Sequence, residues 1–138
     1  MMLTNVLVGG VSFCLVVGGI WIASIPVHES GHWLVGKLCG LRFRGFGYHK
    51  ALKLPVVANF TVNAEDPHAE RNVILMIAGG ILAGWMPSVA LFYLLPVLSA
   101  IIGFVLFSIY YLDRGCASDL MMIKILLDGG TVKKLEEM

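Results

Sequence analysis

Two histidines and a glutamate lie within five positions of the sequence, in the stretch HESGH at residues 28–32. On a helix, positions i and i+4 share a face, so His28 and His32 can present two imidazole nitrogens to one metal ion. Zinc held in this way keeps positions for a third protein ligand and for a water molecule, whose pKa falls towards about 7. Glu29 can take a proton from that water as it attacks a carbonyl carbon. The spacing therefore predicts metal-assisted hydrolysis of a peptide bond.

The same three residues would also suit a polar helix end at a membrane surface, hydrogen-bonded or solvated. Their position in the chain favours the metal site. Residues 1–27 contain no Asp, Glu, Lys, Arg or His, and an ionisable side chain at the centre of a bilayer costs roughly 2.5–3.5 kcal/mol. A cluster of ionisable groups at the end of so apolar a segment indicates a function that offsets this cost.

The composition predicts an integral membrane protein. Of the 138 residues, 58% are hydrophobic and only 14% are charged, which is unlike a soluble protein. Residues 72–112 form a second segment without charge, and a membrane-spanning helix needs roughly 20 residues. We therefore expect a mainly α, polytopic membrane protein with one domain over residues 1–138 and spans at about 3–25, 72–95 and 97–112.

Between the first two spans, the sequence predicts a short helix followed by strands. Pro26 removes one backbone donor, so a kink or a helix restart is expected there, before a catalytic helix at residues 27–39. Residues 41–63 form a β-rich loop, because apolar and polar side chains alternate in it, most clearly at residues 58–63. The free edge of these strands is suited to receive an extended substrate by β-addition. A small sheet packed at the membrane surface fits the alternation equally well.

The second apolar segment has a helix-start signal and a face of small residues. Asp66 is a suitable N-cap, and Pro67 suits the first helical position. Gly80 and Gly84 lie four positions apart, which lets another helix backbone approach closely along that face. We expect this face to pack against the catalytic helix.

The charged residues predict the topology. All 10 Lys and Arg and all 9 Asp and Glu residues fall within residues 29–71 or 113–137. Three spans put these two regions on one side of the membrane, and the basic residues of the short first loop, Arg42, Arg44, Lys50 and Lys53, make that side cytoplasmic. The net charge is only +1, and no dense basic run suggests nucleic acid as a partner. We predict a multi-pass protein of the lipid bilayer with its active site towards the cytoplasm.

Three motifs together resemble the site-2 protease family of intramembrane zinc metalloproteases. They are HESGH at residues 28–32, AGGILAG at residues 78–84 and ASDLMMIKILLDGG at residues 117–130. The resemblance covers most of the chain. It implies a Zn²⁺ ion held by His28, His32 and a downstream Asp, with Glu29 as the catalytic residue. It also implies cleavage of membrane-anchored protein substrates within or close to the bilayer.

Two aspartates are candidates for the third ligand. Asp128 stands in LLDGG, which is similar to the Leu-Asp-Gly signature of many family members, but residues 113–127 lack the Asn and the prolines that usually precede it. Asp119 follows Ser118 where a helix is expected to begin, and local backbone geometry holds a carboxylate in place there. A smaller branch of the family resembles this Ser-Asp arrangement. Asp119 is therefore favoured, and Asp128 is the alternative.

Two other classes of function stay open from the sequence. The chain fits a membrane protein that uses the same fold, with its metal, as a binding or regulatory module without hydrolysis. It also fits a small helical membrane protein without metal. With so few spans, self-association or a helper subunit is a further expectation for the protease.

Overall fold

The computed structural model describes residues 2–48, 57–63 and 65–131, with side chains from residue 7 onward. Part of the predicted β-rich loop, residues 49–56, lies outside the described residues, and so do the basic residues Lys50 and Lys53. Within the described residues, the protein is mainly helical and has two short strands between its first two long helices.

The first helix, α1, runs from Met2 to Leu38 and is not interrupted at Pro26. The expected restart is therefore absent, and the first span and the predicted catalytic helix are one continuous element. A proline removes a single hydrogen bond from the helical ladder, and such residues are tolerated in membrane helices where neighbouring groups satisfy the freed carbonyl. The helix is followed by Gly40, whose φ of 75° supplies the left-handed residue common after helix ends.

Two antiparallel strands follow α1, namely β1 (Arg42–Gly47) and β2 (Val57–Thr61). The register shifts between Phe43 and Gly45, and Gly45 has a φ of 122°. This bulge brings the rings of Phe43 and Phe46 together, with their centroids 5.1 Å apart. Phe60 of β2 packs against α1 at Gly36, where a side chain would collide with its ring. The sheet thus lies against the last turns of α1.

The second long helix, α2, runs from Ala69 to Trp85. The Asp66 side chain makes the bond expected of an N-cap, its Oδ1 accepting the His68 N–H at 2.9 Å. Residues 67 and 68 nevertheless form a turn, and the helix begins only at Ala69. A 3₁₀ stretch, Met86–Ala90, contains Pro87 and leads into the short helix α3, Leu91–Leu94. The proline ring and its missing N–H disfavour a regular α-helical ladder there.

The chain turns at Leu95 and Pro96 and then forms α4, Val97–Tyr110. The last turn widens into a π-helix, Tyr111–Gly115, before α5, Ala117–Leu127. π-Helical turns are rare and frequent at functional sites. This one places Tyr111 in the protein interior, where it is 2% exposed.

Three helical segments of the described chain are long and apolar enough to cross a membrane: Leu7–Leu38, Ala69–Leu94 and Val97–Gly115. This is consistent with a membrane protein, and many large apolar side chains on these segments are exposed, as expected for surfaces that face lipid. The predicted fold class, mainly α with about three spans and a small β element between the first two, is confirmed.

The closest packing in the fold is between α1 and α2. A Cβ added at Gly31 would lie 2.5 Å from the Gly79 carbonyl oxygen and 2.6 Å from the Ala83 Cβ, so the two backbones meet with nothing between them. Gly80 and Gly84 face α1 in the same way. The predicted small-residue face therefore packs against the helix that carries the histidines.

Candidate metal centre

His28 and His32 lie on the face of α1 that packs against α2, and both are buried. One turn of helix separates them, so the imidazole rings lie one above the other along the axis and meet edge to face, with their centroids 4.5 Å apart and an interplanar angle of 89°. Their Nε2 atoms are 2.9 Å apart. A helix alone is enough to produce this pair, and the glycines of α2 leave room for its rings.

Asp119 reaches the two histidines from the first turn of α5. Its Oδ2 lies 2.9 Å from Nε2 of His28 and 3.3 Å from Nε2 of His32. The three residues form a buried group whose ligand atoms lie within 4.8 Å of one another. The helix begins at Ala117, so Asp119 sits inside the first turn rather than at the cap position expected from the Ser-Asp pair.

Asp128, the alternative third ligand, lies elsewhere. It is exposed at the C-terminal end of α5, and a helix rises about 13 Å over the residues that separate it from Asp119. The described residues bring Asp119, and not Asp128, to the histidine pair.

The hydrogen bonds of His32 determine which of its nitrogens is free. Nδ1 lies 3.0 Å from the Met76 carbonyl oxygen. A carbonyl can only accept, so Nδ1 carries the proton and Nε2 presents a lone pair. His28 is held in the same sense, because its Nδ1 lies 2.6 Å from the Tyr111 hydroxyl, which itself donates to the Ile81 carbonyl.

The site therefore collects three electron-pair donors: two imidazole Nε2 atoms and a carboxylate oxygen. Oδ2 of Asp119 is buried and has no hydrogen-bond partner among the described residues. Lone pairs this close repel one another unless a cation lies between them. Tetrahedral zinc with ligands at about 2.0–2.1 Å would place its donor atoms about 3.3 Å apart, close to the spacing observed. The group fits a divalent metal ion, and its nitrogen and oxygen donors suit zinc or ferrous iron.

The electrostatics of Asp119 agree with a ligand role. Burial by itself would raise the pKa of its carboxyl group, but hydrogen bonds from Nε2–H of the adjacent His28 and His32, which form when no ion is bound, outweigh burial and lower the pKa to about 2. A metal ion would take the place of those hydrogens. The carboxylate is consequently ionised across the range in which imidazole is neutral, which is the protonation state a metal site requires.

Glu29 lies next to the ligands in the sequence but binds a different partner. Its half-buried carboxylate accepts a hydrogen bond from the Ala58 N–H of β2, with Oε2 and the nitrogen 3.0 Å apart. That N–H is therefore not donated to β1, and the outer edge of β2 faces Glu29. The structure thus brings together the predicted catalytic carboxylate and the outer edge of β2.

One cavity of about 640 Å³ contains the whole arrangement. His28, His32, Asp119 and Glu29 all line it, and so does the start of β2 at Val57 and Ala58. Other parts of its wall are apolar or aromatic, which suits an extended peptide segment better than a small polar solute. The cavity also extends to side chains at its polar rim, namely Tyr48, Arg114 and Ser118.

No protein-family model, curated protein or solved structure matches this chain. The resemblance to the site-2 proteases therefore rests on the three motifs of the sequence and stays a prediction.

Several groups at the centre had no signal in the sequence. The Met76 and Ile81 carbonyls and the Ala58 N–H are main-chain atoms, so no residue type marks them. Tyr111 is one of several aromatic residues in an apolar stretch, and it lies inward because it shares the buried helix face of Phe107, four positions earlier. In the sequence, the position of Tyr111 is marked by the adjacent pair Tyr110–Tyr111 at the end of the last span.

Proposed function

We propose that the protein is an intramembrane zinc metalloendopeptidase that hydrolyses peptide bonds of membrane-anchored protein substrates. The observation that carries the proposal is the convergence of Nε2 of His28, Nε2 of His32 and Oδ2 of Asp119 in one cavity with Glu29. His28, His32 and Asp119 would hold the ion. When bound, zinc would supply a water of lowered pKa and polarise the substrate carbonyl.

Glu29 has the remaining task of moving a proton. Its carboxylate lines the same cavity and does not belong to the ligand group, so it is free to act as general base. A carboxylate in this role takes a proton at one oxygen and returns it to the nitrogen of the leaving amine. A positioned general base contributes about 10²–10⁴-fold to the rate.

The outer edge of β2 is a reason to expect a peptide as the substrate. A transmembrane helix hides its peptide groups in its own hydrogen bonds, so a substrate has to be extended before it can be cut. An edge strand can pair with such a segment, and this edge opens into the cavity at Val57 and Ala58, where the Glu29 carboxylate accepts the Ala58 N–H. The basic residues of the first loop favour the cytoplasm as the side on which cleavage takes place.

The test is Glu29→Gln in the full chain, assayed for zinc content and for cleavage of a membrane-anchored model substrate. Glutamine keeps an oxygen that can accept the Ala58 N–H, so the fold and the zinc should be retained. Cleavage should fall by about 10²-fold or more because an amide cannot take the proton. Glu65→Gln, at an exposed turn residue, is the matched control and should cleave normally. Cleavage at the wild-type rate by Glu29→Gln would refute the mechanism.

One observation favours a second candidate, a metal-binding or regulatory module that hydrolyses nothing. The hydrogen bond from Ala58 gives Glu29 a structural role that needs no catalysis. This candidate predicts bound metal in the wild type, loss of metal in His28→Ala, and no cleavage that depends on Glu29.

A further inference from the structure

Tyr111 is buried beside the proposed metal ligands. It is 2% exposed, and its ring stacks on Phe107 with a centroid distance of 5.4 Å and an interplanar angle of 12°. Tyr110, its neighbour in the sequence, is 51% exposed. Two adjacent tyrosines of one chain thus differ completely in environment, because successive residues of a helix point about 100° apart and only Tyr111 lies on the buried face of Phe107.

The Tyr111 hydroxyl makes two hydrogen bonds that can be assigned a direction. The Ile81 carbonyl, 3.1 Å away, has no proton to give, so the hydroxyl donates to it. The hydroxyl has only one proton, so at Nδ1 of His28, 2.6 Å away, its oxygen must accept. His28 therefore keeps its proton on Nδ1, and the lone pair of Nε2 points at Asp119 and His32.

Two glycines make room for Tyr111 beside His28. A Cβ at Gly84 would collide with the hydroxyl and would come within 2.6 Å of the His28 Cβ. A Cβ at Gly115 would lie 2.9 Å from the Tyr111 ring. The tyrosine is thus packed on both sides, and its hydroxyl is directed at the imidazole.

The two histidines are oriented by different kinds of group. His32 is held by a main-chain carbonyl, that of Met76, which no substitution removes. His28 is held by a side-chain hydroxyl, which a single substitution removes. A substitution of Tyr111 should therefore affect His28 and leave His32 unchanged, so His32 serves as an internal reference.

We propose that Tyr111 is a positioning residue of the metal centre, whose hydroxyl holds His28 in the Nδ1–H tautomer so that Nε2 is available to the ion. The inference rests on the proposed metal site and adds to it a partner that fixes one ligand. Groups that accept the second N–H of a ligating histidine typically contribute about 10–100-fold to metal affinity.

The experiment compares Tyr111→Phe with Tyr110→Phe in the purified full chain. Zinc affinity is measured by competition with a chromophoric chelator, and the tautomers of His28 and His32 are read from ¹⁵N chemical shifts of labelled histidine. Tyr111→Phe should weaken zinc binding about 10–100-fold and, in the metal-free protein, shift His28 towards the Nε2–H tautomer, with His32 unchanged. Tyr110→Phe should bind zinc as the wild type does.

The outcomes separate this inference from the function on which it rests. Equal zinc affinity in wild type and Tyr111→Phe would overturn the role of Tyr111 and leave the proposed protease intact. A tautomer change at both histidines would show that the substitution disturbs the site as a whole, which also overturns a specific role. A wild type that binds no zinc would contradict the proposed function and this inference together.

Discussion

The contact between Gly80 and His32 makes the metal centre sensitive to a single methyl group. A Cβ at Gly80 would overlap the imidazole ring of His32, meeting its Cε1, Nδ1 and Nε2 atoms well inside van der Waals contact. Optimal separation of such atoms is about 3.5–4.0 Å, so Gly80→Ala requires the ring, or the whole of α1, to move by about 1 Å or more. We predict that this substitution damages both packing and metal binding.

The expected magnitudes follow from the geometry. Overpacking of a closely packed interior costs about 1–3 kcal/mol, whereas alanine gains about 0.5–1 kcal/mol over glycine inside a helix, so the net change should be destabilising. The movement would also separate Nδ1 of His32 from the Met76 carbonyl, now 3.0 Å away. Ligand distances in a metal site tolerate about 0.2 Å, so zinc affinity should fall by more than about 10-fold.

The assay combines thermal unfolding in a mild detergent with the chelator competition described above. Gly19→Ala is the matched control, because it lies in α1 and a Cβ there would meet nothing within 4 Å. The control should be as stable as the wild type or slightly more so, and it should keep its zinc. If Gly80→Ala also bound zinc normally and unfolded at the wild-type temperature, the close contact of α1 with α2 at the site would be refuted.

Two further predictions concern the third ligand and the pH dependence. Asp119→Asn should lose bound zinc whereas Asp128→Asn keeps it, measured as metal content of the purified variants, and the reverse result would assign the ligand to Asp128. Zinc binding of the wild type should weaken as pH falls and the imidazoles take up protons, because a protonated imidazole can no longer ligate. The Asp119 carboxylate, with its pKa lowered from 3.8 to about 2, should contribute its stabilisation above pH 3.8 and lose it only as pH falls towards 2. The imidazoles should therefore be protonated, and zinc lost, before the Asp119 carboxylate is protonated. Chelator-competition titrations at falling pH measure this, and a loss of zinc centred near about pH 3 would contradict it.

Much of the architecture could be predicted because hydropathy and alternation are local properties. Two segments without charge predicted three spans, and the alternation after Gly40 predicted the strands. The errors lie at element ends and at Pro26, where the sequence marks a missing hydrogen bond but does not show whether the surrounding helix tolerates it. In this protein α1 continues through that position.

The candidate site, like the fold, could be predicted from the sequence only in part. The sequence by itself determined that His28 and His32 share a helix face, because i and i+4 spacing is a property of any α-helix. Only the tertiary structure decided that Asp119 rather than Asp128 joins them, that Tyr111 turns inward to His28, and that Glu29 meets the edge of β2. Those contacts join residues far apart in the chain. They depend on how closely α1 approaches α2 and on where α5 begins, and neither of these is a property of any short stretch of sequence.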